Sequence, residues 1–78
     1  MNFGNKRIFY KNREIKDFRK VIFKGAKLTT MSFIDADLRG ADFIGADIRW
    51  VSFNRANIKK ANFSGAISTN ADFTDAIF

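Results

Sequence analysis

Tyr10, Arg49 and Trp50 are the side chains whose chemistry best suits a binding surface. Tryptophan, tyrosine and arginine dominate the residues that carry binding energy at protein interfaces. Arg7 and Lys27 would add positive charge that attracts anionic groups of a partner. These five residues are therefore the candidate partner-binding set.

The sequence lacks the side chains that most often carry out catalysis or bind metal ions. The 78 residues include no histidine and no cysteine, so the commonest general base, the commonest metal ligand and the thiolate are all missing. There is no glycine-rich phosphate loop, and most carboxylates recur at one position of a repeat. We expect no enzymatic activity, no metal site and no cofactor.

A period of five residues organises the chain from which these side chains project. All nine alanines fall in one register of that period, and nine of the ten phenylalanines fall in another, two residues later. Because five matches neither a helix nor a strand, the chain must turn after every fifth residue. The expected core residues are Phe23, Leu28, Phe33, Leu38, Phe43, Ile48, Phe53, Ile58, Phe63 and Phe73.

Two further positions of the repeat predict corners. Asp, Asn or Ser often precedes the large apolar residue, as at Asp37, Asp42 and Asn57, and such side chains bond to nearby backbone. Four of the five glycines lie two residues after the apolar position, where a turn would need positive φ. The pattern therefore predicts one corner per repeat.

A square with sides of five residues closes after twenty, so residues twenty apart should stack at the spacing of paired strands, about 4.8 Å. One inner column would hold Phe3, Phe23, Phe43 and Phe63, and the column opposite Phe33, Phe53 and Phe73. Ser68 falls in an inner register, and we expect it near the C-terminal end or bonded to backbone, since a buried hydroxyl needs a partner.

The same square places Tyr10 and Trp50 at one corner, two coils apart, with Arg7, Lys27 and Arg49 on the adjoining wall. A binding surface is one interpretation. In the other, Phe9 and Tyr10 fold over the end coil and Trp50 only covers neighbouring methyl groups. A second column, Arg19, Arg39 and Lys59, is interpreted as a solvated face rather than a site.

Units such as Ala36-Asp37-Leu38-Arg39-Gly40 and Ala61-Asn62-Phe63-Ser64-Gly65 resemble the A(D/N)LxG repeats of the pentapeptide repeat family. The resemblance covers residues 21–78. It implies an all-β fold, a right-handed quadrilateral β-helix of about three to four coils. It also implies a bacterial origin and, for most members, no known activity.

Residues 1–20 depart from the repeat, because Lys6, Lys11 and Lys16 occupy alanine positions and Arg13 an apolar one. The segment is either a first coil opened outward or a strand-like basic cap on the stack, as solenoids generally require, and we favour the cap. The predicted organisation is thus a cap over 1–20 and a β-helix over 21–78.

At the other end no polar segment follows Phe78. Members of the family commonly pair through their C-terminal coils, so the resemblance implies a homodimer interface at Phe73, Ile77 and Phe78. The alternative is that the chain is a fragment of a longer solenoid.

The predicted function is a non-enzymatic interaction module that presents a rigid wall to another protein. Some family members mimic DNA and bind DNA gyrase or another topoisomerase, but a net charge of +6 disfavours that alternative. A third hypothesis is nucleic-acid or anion binding through the basic N-terminal end, whose charges could equally keep that end soluble. The N-terminus lacks a signal peptide's apolar core and no stretch could span a membrane, so we expect a cytoplasmic protein.

Overall fold

The computed structural model describes residues 7–10 and 13–78, with the side chains of residues 7, 8 and 14–78. Phe3, Lys6 and Lys11, which the repeat placed in the first coil, lie outside the described residues. In the described part the chain begins with a short hairpin and continues as a stack of coils.

The hairpin consists of β1 (Phe9–Tyr10) and β2 (Arg13–Glu14), paired antiparallel with Phe9 opposite Glu14. The amide of Ile15 donates to the carbonyl of Ile8 at 2.6 Å and extends the pairing by one step. Ile8 and Phe18 pack against the buried core. The described residues between Ile8 and Ile15 thus form an antiparallel hairpin rather than a parallel coil.

The stack is held by parallel bridges, each of which joins residues twenty apart, from Asp17 with Asp37 to Asn57 with Ile77. Backbone hydrogen bonds of 2.7 to 3.2 Å run between consecutive coils on all four walls. The twenty-residue circuit expected from a five-residue side is therefore observed. The first bridge, at Asp17, precedes residue 21, so coil pairing begins inside the segment that the repeat pattern assigned to the cap.

Each side ends in a turn whose third residue has a φ between 58° and 70°, as type II turns require. The turns close with a hydrogen bond across four residues, as from the amide of Ala46 to the carbonyl of Phe43 at 3.0 Å. Glycine occupies four of these positions, as predicted, and eight are occupied by larger residues, including Lys20, Trp50 and Lys60. Those eight adopt a conformation that costs side-chain-bearing residues energy.

The core is built from two phenylalanine columns that meet in the middle of the stack. Phe43 stacks on Phe63 at 4.8 Å, and Phe53 stacks on Phe73 at the same distance. The columns then contact each other edge to face, as between Phe43 and Phe53 at 5.7 Å and 85°. Both geometries are favourable for aromatic rings.

Alanine and the large apolar residues are buried together in the middle coils; Ala46, Phe43 and Phe53 are wholly inaccessible to solvent. Of the ten expected core residues, Phe63 and Phe73 are only half-buried, because the last described coil has a neighbour on one side only. No helix long and apolar enough to cross a bilayer occurs among residues 7–10 and 13–78.

The short polar side chains stabilise the walls from outside. Asp42 Oδ1 accepts a hydrogen bond from the amide of Ile44 at 2.9 Å, and Asn62 Oδ1 accepts one from Ser64 at 3.0 Å. The same bond to the residue two positions on recurs at Asp17, Ser32, Asp37, Asp47, Asn57 and Asp72. These bonds confirm the local backbone bonding predicted for the polar position.

Candidate functional site

Trp50 occupies a corner of the stack at a φ of 62°, and 63% of its surface is exposed. A bulky residue in this left-handed region is uncommon and strained. Its column continues with Thr30 and Asn70, which share the positive φ and are also exposed. The corner therefore projects a large aromatic ring from a backbone fixed on both sides by hydrogen-bonded coils.

Arg49, next to this ring, is fixed by Asp47. The guanidinium donates from Nε to Oδ1 at 2.8 Å and from Nη2 to Oδ2 at 2.7 Å. The hydrogen bonds from Arg49 hold the pKa of Asp47 below its ordinary value, and nearby Lys27 adds to the effect. Only 9% of the Asp47 surface is exposed. The buried carboxylate therefore holds the guanidinium of Arg49 in one orientation, at the solvent-exposed surface of the wall.

The structure thus brings Trp50, Arg49 and exposed Lys27 onto one wall. The backbones of Lys27 and Asp47 are paired there by a parallel β-bridge. Arg7 instead lies beside the hairpin, with Nη1 3.5 Å from the Glu14 carboxylate. Tyr10 belongs to β1 and pairs antiparallel with Arg13, so it does not join the parallel column of Trp50 through backbone pairing. The side chains of Tyr10 and Phe9 lie outside the described residues.

At the C-terminal end an apolar cavity of about 220 Å³ opens between Ile48, Ile58, Phe63, Phe73 and Phe78. Ser68 lines it and is exposed, in agreement with the expectation that this serine lies near that end. Phe78 is 79% exposed and Ile77 47%. The three residues predicted for a dimer interface thus surround or adjoin an open apolar surface.

The column of Arg19, Arg39 and Lys59 lines a groove of about 360 Å³ on another wall. Lys20 and Lys60, from the adjacent corner, complete it. These two lysines lie one register after Arg19, Arg39 and Lys59 and were therefore not part of the predicted column. Their common offset of forty residues, with Gly40 between them, was the available signal.

No group of three or more potential metal-ligating side chains occurs among the described residues. The aspartates at the repeated polar position accept hydrogen bonds from arginine side chains or from backbone amides of the same wall.

A family model described as pentapeptide repeats matches the chain in eight copies, over residues 32–67 and 52–78, which together make up more than half of its length. The chain belongs to the pentapeptide repeat family. No curated protein and no solved structure gives a significant match.

Membership of the pentapeptide repeat family implies a β-helical solenoid and agrees with the parallel bridges between residues twenty apart. Across this pentapeptide repeat protein, the apolar and alanine positions form the interior, and the residues between them form walls that differ from one another in charge and exposure. Because the interior positions repeat, the residues that distinguish one such protein from another lie on the walls and at the ends.

Proposed function

We propose that this pentapeptide repeat protein is a non-enzymatic interaction module. In this proposal residues 21–78 form a right-handed quadrilateral β-helix of three to four coils, and residues 1–20 cap its N-terminal end. The wall that carries Trp50 and Arg49 docks another protein. The antiparallel hairpin supports the cap, because Ile8 covers part of the apolar core there.

The exposed, strained position of Trp50 carries the proposal. Glycine is the residue that tolerates its backbone conformation at no cost, yet the corner holds the largest side chain. An exposed aromatic ring beside an arginine oriented by a buried carboxylate is the chemistry of an interface hot spot. Because the backbone of this corner is already ordered, little backbone entropy is lost when the ring binds a partner.

The docking test uses affinity capture on immobilised wild-type protein and two variants. Trp50→Ala removes the ring, whereas Ile22→Ser removes a 73% exposed apolar side chain from a different wall. We expect Trp50→Ala to lose a specifically captured protein that wild type and Ile22→Ser both retain. Equal capture by all three would refute a role for the Trp50 wall.

We further propose that two copies associate end to end through Phe73, Ile77 and Phe78. The open cavity beside these residues supports this, since apolar surface of this kind is normally covered. Light scattering at several concentrations should show a dimer for wild type and for Ile22→Arg, and a monomer for Phe78→Arg. A monomer in all cases would contradict the proposed interface.

Gyrase binding by DNA mimicry is the less favoured alternative, because the charge of the protein is +6 and a DNA mimic must be strongly anionic. Inhibition of gyrase supercoiling, or protection from quinolones, would reverse this order. Binding of nucleic acid through the basic N-terminal end, residues 1–27, is a separate hypothesis; it predicts an affinity that falls steeply with salt concentration.

A further inference from the structure

Positive charge on the stack is concentrated on one wall. The wall formed by residues 16–20, 36–40 and 56–60, here called the basic wall, carries six lysines and arginines against two aspartates. The other three walls hold between one and two cations each and at least one carboxylate each. Charge that merely maintained solubility would have no reason to gather on one side.

The groove on the basic wall contains Gly40 between two lysines of the same corner. A Cβ at residue 40 would lie 3.4 Å from Cγ of Lys20, so the Lys20 stem passes close over Gly40. Lys60 stands at the same corner one coil beyond Gly40. The groove of about 360 Å³ is therefore flanked by cations from three successive coils.

The two arginines of the groove are oriented before any ligand arrives. Asp37 accepts from Arg39 Nε at 2.8 Å and from Nη2 at 2.6 Å, and Asp17 holds Arg19 in the same way. Within the described part of the chain, Nη1 of neither arginine has a hydrogen-bond partner. Likewise, no described carboxylate pairs with Lys20, Lys59 or Lys60. The groove thus offers two fixed guanidinium groups and three adaptable ammonium groups.

We propose that this groove binds a nucleic-acid strand through its phosphates, without reading the bases. Successive coils are about 4.8 Å apart, so the three coils that form the groove span about 10 Å, roughly three phosphates of a stacked strand. Arginine and lysine are the side chains that contact phosphate oxygens in such complexes. The site shares Arg19 and Lys20 with the basic N-terminal end and extends along the wall to Lys59 and Lys60.

The geometry favours a strand over the other anionic partners. A row of cations along three coils suits a linear polyanion, whereas a membrane surface would call for apolar side chains to insert. None of the groove residues is apolar apart from Gly40. A phosphodiester chain carries its charges at regular intervals on a narrow backbone, which matches the regular row of cations better than the scattered carboxylates of an acidic protein patch.

The test measures fluorescence anisotropy of a labelled single-stranded DNA 20-mer with the full chain at several salt concentrations. Lys59→Glu/Lys60→Glu is compared with Lys24→Glu/Arg55→Glu, whose wild-type cations lie exposed on two other walls. Each double variant lowers the net charge by four, from +6 to +2. Circular dichroism checks the fold, and Lys59→Gln/Lys60→Gln serves as a milder second variant.

We expect the groove variant to weaken binding at least about tenfold and the control variant less than about threefold. For three to five phosphate contacts, log affinity should fall with log salt at a slope of about −2 to −3.5 in wild type. Equal losses in both double variants would overturn the proposal, since net charge alone would then explain the attraction. Binding to anionic vesicles in place of the DNA, or absence of DNA binding at low salt, would overturn it as well.

Discussion

Arg55 and Asp35 lie one coil apart on the same corner and form a two-pronged ion pair, with Nε 2.8 Å from Oδ1 and Nη2 3.2 Å from Oδ2. Arg19, Arg39 and Arg49 instead use both nitrogens on an aspartate two residues earlier in the same wall. The Arg55 pair therefore ties two coils together, whereas the hydrogen bonds of the other three lie within one coil; Arg19 additionally approaches the next coil, with Nε 3.9 Å from Asp37 Oδ2.

The first prediction concerns this pair. Asp35→Asn should lower the melting temperature slightly at low salt, and the difference should vanish near about 1 M salt, where exposed charges are screened. Asp75→Asn is the matched control, because Asp75 occupies the same corner on the other side of Arg55 and accepts no hydrogen bond from it. Equal destabilisation by both variants would mean that Arg55 is shared between the two carboxylates.

The second prediction concerns acid. Hydrogen bonds from Arg19 lower the pKa of Asp17 to about 2, and the pKa values of Asp35, Asp37, Asp47 and Asp72 are also below their ordinary value. A carboxyl with a lowered folded-state pKa stabilises the fold above its unfolded pKa, and that contribution is lost as the pH falls through the folded value.

The melting temperature should therefore be constant between about pH 5 and 8, where no histidine titrates, and should fall from about pH 4 towards pH 2. Measurement at about 0.5 M salt separates this effect from general repulsion among the positive charges. Asp47→Asn should show a shallower acid decline. A melting temperature that is unchanged down to pH 2 would contradict the aspartate bonding.

The third prediction concerns the cavity at the C-terminal end. Ser68→Ile should place an apolar side chain over Ile48 in the cavity and raise the free energy of unfolding by about 1 kcal/mol, because part of the side chain leaves water. Ser64→Ile, at an exposed position of the neighbouring wall, is the control and should change stability by less than about 0.5 kcal/mol. Urea denaturation measures both; a loss of stability in Ser68→Ile would show that the cavity cannot accept it.

The fourth prediction concerns strain at the Trp50 corner. Trp50→Gly and Trp50→Ala both remove the ring, but only glycine tolerates the φ of 62° freely, so the glycine variant should be the more stable by about 1 kcal/mol. The same two substitutions at Arg49, which is outside the positive-φ set, should give the opposite order. Equal stability of the two Trp50 variants would mean that the corner relaxes when the ring is removed.

Much of the fold could be predicted because the repeat is a local property of the chain. Alanine and phenylalanine recur at fixed offsets, and a square circuit is the arrangement that stacks Phe43 on Phe63 and leaves Ala46 inside. Corner glycines and the polar position were predictable for the same reason. The hairpin was not, since Lys16 breaks the pattern; its ammonium group pairs with Glu14 and bonds to the carbonyl of Ile34.

The sequence by itself therefore determined the period, the family, the interior columns and the candidate residue Trp50. Only the tertiary structure decided which carboxylate each arginine contacts, and that Lys20 and Lys60 close a groove around Gly40. The physical reason is that interior packing allows few solutions in so narrow a core. An exposed arginine instead has several partners of similar energy within reach, in its own coil and in the next, and the geometry of stacked coils selects among them.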